Sequence, residues 1–127
     1  MEYQIIYYNA SKTALCERAL SCGLSAHGSS HAGANAAATR QILGRFLSGI
    51  FCRYNLVFIV NGSSDDLKQI ITSAIGADRN FGCEEFEDAF ILTCAPQCLT
   101  VLPDDPQKIT DLLESGISTK LRNIFSV

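Results

Sequence analysis

The segment of residues 61–66 is the strongest candidate for chemistry in this sequence. It reads Asn-Gly-Ser-Ser-Asp-Asp, and it lies between one of the longest apolar runs of the chain and a stretch with helical spacing. Backbone N–H groups in a turn between a strand and a helix bind anions such as phosphate. The adjacent Asp65 and Asp66 would repel a phosphate unless a metal ion bridged them. A structural alternative stays open, in which Gly62 makes the turn, Ser64 caps the helix and the acids complement the helix dipole.

The histidines and cysteines are weaker candidates. His27 and His31 are four residues apart, but their segment is not predicted to be helical, and no carboxylate or cysteine lies close in sequence. We therefore interpret them as exposed loop histidines rather than as a metal-binding pair. Of the six cysteines, Cys94 and Cys98 form a single close pair, whereas structural zinc sites usually contain two. We expect the cysteines to be reduced and mostly buried.

Composition limits the class of protein. With 127 residues, of which 47% are hydrophobic and 18% charged, the chain has the size and composition of one globular domain, residues 1–127. The net charge of −3 argues against a nucleic-acid partner, since no basic surplus is available to neutralise phosphates. The apolar runs are too short to span a membrane, and the first residues lack the pattern of a signal peptide. We therefore expect a cytoplasmic protein that does not contact membranes.

The elements that must position these residues alternate between strand and helix. β-Branched and aromatic runs predict strands at residues 3–8, 54–60, 89–93 and 99–102, and a weaker one at 24–30. Apolar residues with a helical period predict helices over 11–23, 35–51, 64–76 and 106–113, with a further helical piece after Gly116. Gly23 is predicted to end the first helix and Asn35 to cap the second. Residues 32–38 are predicted to form a loop that leads into the second helix, and residues 77–87 to be polar and irregular.

This order predicts an α/β domain with three layers. Each crossover between parallel strands requires a helix, so the alternation favours a mostly parallel central sheet with helices on both faces, an α/β/α arrangement. The last two strands follow each other closely and are predicted to form a C-terminal hairpin. Any site should then lie on the loops at the carboxyl ends of the strands.

Several short segments occur together in a characteristic order. They are residues 13–20 before Gly23, residues 33–35, 54–62, 65–67 and 74–76, and the C-terminal residues 102–106 followed by Leu121. In this order and spacing, the chain resembles the molybdopterin-binding domain of molybdenum-cofactor biosynthesis proteins, which also forms the N-terminal half of competence-damage-inducible proteins. The resemblance implies a three-layer α/β fold, often assembled as a trimer, with a pocket for a pterin phosphate or an adenylated nucleotide at the strand ends.

The resemblance also implies which residues would act. The phosphate-binding turn would comprise Asn61, Gly62, Ser63 and Ser64, and the facing wall would comprise Pro103, Asp104, Asp105 and Pro106. Asp65 and Asp66 would coordinate Mg²⁺ and form the catalytic pair. In the family, such acids support adenylation of molybdopterin or cleavage of nucleotide pyrophosphates such as ADP-ribose.

The sequence departs from that family at functional positions. The acid of the family's first loop falls on Ala34, the glycine-rich anion loop is shortened at residues 61–64, and the glycine of the C-terminal loop falls on Asp104. These departures favour a molybdopterin- or nucleotide-binding protein with degenerate catalytic loops. Two alternatives stay open. One is a nucleotide pyrophosphatase in which Asp104 or Asp105 replaces the missing acid, and the other is a non-catalytic scaffold or regulatory subunit.

Overall fold

Strands and helices alternate in the computed structural model, which describes residues 2–25, 30–50, 53–63, 67–75, 82–86, 88–94 and 97–117. The strands are β1 (Glu2–Tyr8), β2 (Ser30–Ala37), β3 (Leu56–Asn61), β4 (Gly82–Phe86), β5 (Ala89–Cys94) and β6 (Gln97–Pro103). The helices are α1 (Thr13–Ser25), α2 (Arg40–Ile50), α3 (Leu67–Ile75) and α4 (Pro106–Leu112), and a π-helical turn at Leu113–Ile117 follows α4. Among these described segments, no helix has the length and apolar character needed to cross a membrane.

The strands form one sheet in the order β2-β1-β3-β6-β5-β4. β1 pairs in parallel with both β2 and β3, and β6 extends the parallel part beside β3. β5 and β6 form an antiparallel hairpin in which Phe90 lies opposite Val101, and β4 pairs antiparallel with β5. The mostly parallel sheet and the C-terminal hairpin are therefore confirmed.

The sheet separates two hydrophobic layers, because successive side chains of a strand point to opposite faces. The layer beneath α1 and α4 includes Ile5, Phe58, Leu20 and Ile109. The layer beneath α2 and α3 includes Ile6, Ile59, Leu47 and Ile71. All of these side chains are at 0% exposure. β3 contributes to both layers, as its continuous apolar run predicts, and the three-layer α/β/α architecture is confirmed.

The second strand begins later than the sequence predicts. β2 occupies Ser30–Ala37, so the loop predicted at 32–38 is wrong up to Ala37. Of the strand predicted at 24–30, Leu24 and Ser25 belong to α1 and Ser30 begins β2, whereas residues 26–29 lie outside the described residues. Alanine and glycine have little intrinsic preference for strands, and pairing with the buried β1 overrides their local preference. Asn35 consequently lies within β2, opposite Ile6, rather than at a helix start.

The true N-cap of α2 is Thr39. Its Oγ1 accepts a hydrogen bond from the N–H of Ile42 at 3.2 Å, which satisfies one of the open donors in the first helical turn. Asparagine is intrinsically the stronger N-cap and threonine the weaker one, so the local pattern alone favours Asn35. The position of β2 decides between them.

Two further elements differ from the sequence prediction. β4 lies inside the segment predicted to be irregular, because a charged and exposed edge strand carries no apolar alternation. α1 continues through Gly23 to Ser25, so Gly23 does not end the helix. A Cβ at Gly23 would lie 2.5 Å from Cδ1 of Leu113, so this glycine allows close packing on the π-helical turn.

The helical piece predicted after Gly116 lies outside the described residues, apart from Ile117.

Two leucines on α1 provide a matched pair of core and surface positions. Leu20 is fully buried, whereas Leu15 is 51% exposed. We expect Leu20→Ala to lower the free energy of unfolding by about 2–5 kcal/mol, because it leaves a cavity, and Leu15→Ala to lower it by less than about 1 kcal/mol. Urea unfolding followed by circular dichroism measures both values. Equal losses would contradict the orientation of α1 on the sheet.

Candidate functional site

The carboxyl ends of β1, β3 and β6 lie side by side, at Tyr8, Asn61 and Pro103. α1 connects β1 to β2 on one side, whereas β3 lies on the other side of β1. The strand order therefore reverses between β1 and β3, the position at which open α/β sheets bind ligands. The structure brings the described part of the predicted turn, residues 61–63, and the predicted wall, residues 103–106, to this same end of the sheet.

Gly62 brings the loops after β1 and β3 into direct backbone contact. Its N–H donates to the carbonyl oxygen of Tyr8 at 2.8 Å. A Cβ at this position would overlap the carbonyl group of Asn9, so only glycine fits without a shift of the backbone. Asn9 itself has a left-handed backbone with φ of 52°, a conformation that asparagine adopts more readily than most residues. The backbones of the two loops therefore pack tightly at the switch point.

Asn61 folds the start of the turn onto itself. Its Oδ1 accepts hydrogen bonds from the N–H of Ser63 at 2.9 Å and from the Ser63 hydroxyl at 2.7 Å, which forms an Asx turn. One N–H of the predicted phosphate turn is therefore satisfied by the turn itself. Ser64, Asp65 and Asp66 lie outside the described residues, and their assignment to phosphate and Mg²⁺ binding stays a prediction.

Asp104 connects the loop after β6 to the loop before α1. Its Oδ2 accepts hydrogen bonds from the N–H and the hydroxyl of Ser11, at 2.8 and 3.1 Å. Its Oδ1 accepts from the N–H of Lys12 at 3.1 Å and from the thiol of Cys16 at 3.7 Å. A carboxylate of the chain thus occupies donors before the first turn of α1, where an external anion would otherwise bind.

These contacts determine the charge states around Asp104. Burial raises the pKa of Asp104, but hydrogen bonds from Ser11 and Lys12 outweigh it and hold the pKa of the carboxyl below its ordinary value. Burial, followed by repulsion from Asp104, raises the pKa of the Cys16 thiol to about 11. Near neutral pH, Asp104 is therefore ionised, and Cys16 is a neutral hydrogen-bond donor rather than a thiolate nucleophile.

Asp105 and Pro106 begin α4. Asp105 has an extended backbone, and its Oδ1 accepts hydrogen bonds from the N–H groups of Gln107 at 3.0 Å and Lys108 at 3.2 Å. Pro106 occupies the first helical turn, where its missing N–H has no cost. The predicted helix start is confirmed, whereas ligand contact by residues 103–106 stays a prediction.

A cluster around Glu17 is not apparent from the sequence. Its carboxylate accepts a hydrogen bond from the Tyr7 hydroxyl at 3.4 Å and lies 3.5 Å from Nδ1 of His31. Burial, together with the charge of Glu17, raises the pKa of Tyr7 and keeps its hydroxyl protonated. His31 packs on the ring of Tyr3 and lies in β2, so its predicted loop position is wrong, whereas its predicted exposure is confirmed. Only the register of β1 and β2 reveals this contact. His27 lies outside the described residues.

Ala34, which stands at the position of the family's first-loop acid, is not in a loop. It lies within β2, opposite Ile5. The loop that follows β2 contains Ala38 and Thr39 and supplies no acid either. Within the described ranges, no group of three or more histidine, cysteine or acidic side chains is arranged to bind a metal ion.

The four cysteines whose side chains are described are thiols. Cys16 and Cys98 are buried, whereas Cys22 and Cys83 are exposed. The expectation of reduced cysteines agrees with these four, and the expectation of burial holds for two of them. The side chains of Cys52 and Cys94 lie outside the described part of the chain.

Comparisons with known proteins inform the fold. No protein-family model matches the sequence, and no curated protein matches it significantly. Among solved structures, the protein CinA from Thermoplasma acidophilum, described as having unknown function, is similar with a TM-score of 0.69. The similarity covers 97% of each chain at 13% sequence identity. The domain therefore has a CinA-like α/β fold, and at this identity the likeness extends to the fold alone.

The Asp104 contacts predict an acid-sensitive contribution to stability. At neutral pH, Asp104→Asn should lower the free energy of unfolding by about 1–2 kcal/mol, because charge-assisted hydrogen bonds are weakened. The pKa of this carboxyl is lower in the folded chain than in the unfolded chain. Its stabilisation is therefore complete above the unfolded pKa of about 3.9 and decreases as the pH falls below that value.

Urea unfolding of wild type and variant between neutral and strongly acidic pH measures this difference. Asp111→Asn is the control, since the hydrogen bond that Asp111 accepts from Gln107 Nε2 on α4 is exposed. The control should change stability by less than about 0.5 kcal/mol. A difference between wild type and Asp104→Asn that does not shrink in acid would contradict an ionised Asp104 in these contacts.

The close approach at Gly62 predicts a position that tolerates no side chain. Gly62→Ala should lower the free energy of unfolding by about 1–3 kcal/mol, because its Cβ forces the loop of Asn9 to move. Gly49→Ala is the matched control. A Cβ at Gly49, near the end of α2, meets no atom within 4 Å, and alanine favours a helix by up to about 1 kcal/mol. In thermal unfolding, Gly62→Ala should have the lowest midpoint temperature, wild type an intermediate one and Gly49→Ala the highest. The reverse order would contradict the packing of these loops.

Proposed function

We propose that this CinA-like domain binds a phosphate-bearing small molecule, a nucleotide or a molybdopterin, at the turn of residues 61–66 without converting it. The observation that carries the non-catalytic part is the hydrogen bonding of Asp104, whose two oxygens each accept from two donors. A pyrophosphatase would require Asp104 or Asp105 to replace the acid of the family's first loop. Asp104 holds the start of α1 and Asp105 caps α4, so both carboxylates already have structural functions.

Two cations near the carboxyl ends of the strands support the placement of the ligand. Lys12 precedes α1 in the loop after β1, and Arg40 begins α2 after the end of β2. Both residues are exposed, and β1 lies between β2 and β3 in the sheet. Lys12 therefore follows the strand next to β3, whereas Arg40 follows the strand beyond it. In the proposed complex, the ammonium group of Lys12 offsets the charge of the phosphate.

Magnesium is implied by the family resemblance, but the described residues do not provide a site for it. Asp104 and Asp105 accept hydrogen bonds from backbone N–H groups, and these contacts compete with metal coordination. Mg²⁺ prefers several free oxygen ligands, and bound at Asp65 and Asp66 it would offset their charge. The N–H groups of Gly62 and Ser63 already donate within the chain, to Tyr8 and Asn61. The proposed phosphate contacts therefore rest on residues 64–66 and Lys12, and no chemical step is assigned to a metal.

A scaffold or regulatory function is the second candidate, and the same carboxylate favours it. Asp104 occupies the N–H groups of Ser11 and Lys12, and Asn61 occupies that of Ser63. Donors that are satisfied within the chain need no ligand to complete them. This arrangement supports a domain that keeps its fold in the absence of any small molecule and acts by binding protein.

Isothermal titration calorimetry with AMP, ADP-ribose and molybdopterin, each with and without magnesium, tests ligand binding. We expect at least one of these compounds to bind, and Lys12→Ala to weaken its affinity about tenfold because a charge-assisted contact is lost. Lys108→Ala is the matched control. Lys108 lies on α4, where its Nζ is 3.0 Å from Oδ2 of Asp88, and its removal should leave the affinity unchanged.

Different results would contradict the two parts of the proposal, which are ligand binding and the absence of catalysis. Absence of heat with every compound, from a sample shown to be folded by circular dichroism, would contradict ligand binding and favour the scaffold function. Release of AMP from ADP-ribose in the presence of magnesium, manganese or cobalt would contradict the non-catalytic part.

A further inference from the structure

The two edges of the sheet differ in their protection against other strands. β4, at one edge, presents the exposed charged side chains of Glu84 and Glu85. Charged residues on an edge strand discourage pairing with another chain. β2, at the opposite edge, has the sequence SHAGANAA and contains no proline, lysine, arginine or acid. Its register with β1 shifts between His31 and Gly33, so its regular part is residues 33–37. This regular part carries none of the charges or prolines that discourage pairing.

The backbone of β2 leaves alternate residues open on its outer side. The carbonyl oxygen of Ala37 accepts a hydrogen bond at 3.1 Å from the N–H of Asn9, so the polar groups of Ala37 point toward β1. Because the direction of these groups alternates along a strand, those of Ala36 and Ala34 point outward. Both residues are exposed, and no described strand lies on that side of β2.

A buried amide beside β2 provides an independent indication of a partner. Gln4 is only 8% exposed, and its Oε1 has no hydrogen-bond donor in the described structure. The amide lies over Gly33 of β2, since a Cβ there would be 2.9 Å from Nε2 and 3.1 Å from Oε1 of Gln4. A buried carbonyl without a donor is destabilising. Gly33 lacks a side chain, so the amide is separated from the outer edge of the sheet by backbone alone.

We propose that β2 pairs antiparallel with β2 of a second copy of this chain, about a two-fold axis at Ala34. In this register, Ala34 lies opposite its own equivalent, and residues 33–35 of one copy, which lie in the regular part of β2, face residues 35–33 of the other. The outward-pointing groups of Ala34 then exchange two hydrogen bonds with their equivalents. Small alanine side chains meet across the axis, and no pair of like charges is brought together.

The same register satisfies Gln4. Gly33 lies opposite Asn35 of the second copy in a pair without direct hydrogen bonds, in which Cα atoms approach to about 4.5 Å. Opposite residues share a face of the sheet, and Asn35 shares the face of Gln4, because its β1 partner is Ile6 and that of Gly33 is Gln4. An asparagine amide both donates and accepts, so it provides the donor that Gln4 Oε1 lacks. By symmetry, the contact forms twice in each dimer.

Sedimentation equilibrium and light scattering over a range of protein concentrations test the dimer. We expect wild type to form a dimer and Ala34→Pro to remain a monomer, because proline removes the outward N–H that pairs across the axis. Ala34→Ser retains this N–H and should still form the dimer. Asn35→Ala should weaken the dimer about tenfold or more, because two hydrogen bonds to Gln4 are lost.

A second pair of variants, which place charges of opposite sign at the two-fold axis, tests the interface even if the proline variant does not fold. Ala34→Lys and Ala34→Glu should each be monomeric, because like charges face each other, and an equimolar mixture should form a heterodimer. Circular dichroism confirms the fold of each variant. A monomeric wild type, a trimer, a dimer that survives Ala34→Pro, or a mixture that stays monomeric would each overturn the proposed interface. None of these outcomes depends on ligand binding at residues 61–66.

Discussion

The carboxylate of Asp104 connects the carboxyl end of β6 to the start of α1. The arrangement of the loops at the carboxyl ends of the strands depends largely on that contact. Four donors from Ser11, Lys12 and Cys16 converge on its two oxygens. The loop before α1 is thereby held next to the start of α4, and the two helices pack together on one face of the sheet. The same loop begins with Asn9, whose carbonyl lies where a side chain of residue 62 would be.

The parts of the fold with strong periodic patterns are predictable from the sequence. β3 is identified by its continuous apolar run, and α4 by the helical spacing of its apolar residues after Pro106. β2 and β4 are not, because alanine, glycine and glutamate have little preference for strands and both elements lie at edges. Pairing with the neighbouring strand, which is a non-local interaction, determines their positions. The error in β2 also accounts for the wrong helix cap at Asn35.

The candidate site is predictable in its location and less so in its contacts. The alternation of strands and helices places residues 61–63 and 103–106 at one edge, and the structure brings them there. The engagement of Asp104 by Ser11 joins residues 93 positions apart, and no local pattern indicates such a contact. Glu17 and His31 meet only because α1 lies over the pair of β1 and β2. Tertiary packing therefore decides which of the polar side chains remain available for a ligand.

The distribution of satisfied and unsatisfied polar groups separates two regions of this domain. At the carboxyl ends of the strands, Asp104 and Asn61 satisfy backbone donors from within the chain. At the β2 edge, the buried oxygen of Gln4 lacks a donor, and the backbone of Ala34 points outward. Unsatisfied buried groups are destabilising, so a chain retains one most readily where assembly satisfies it. The strand ends and the β2 edge are therefore separate positions at which a domain of CinA-like fold can form an interaction, because the fold determines where sites can lie and not which of them are used.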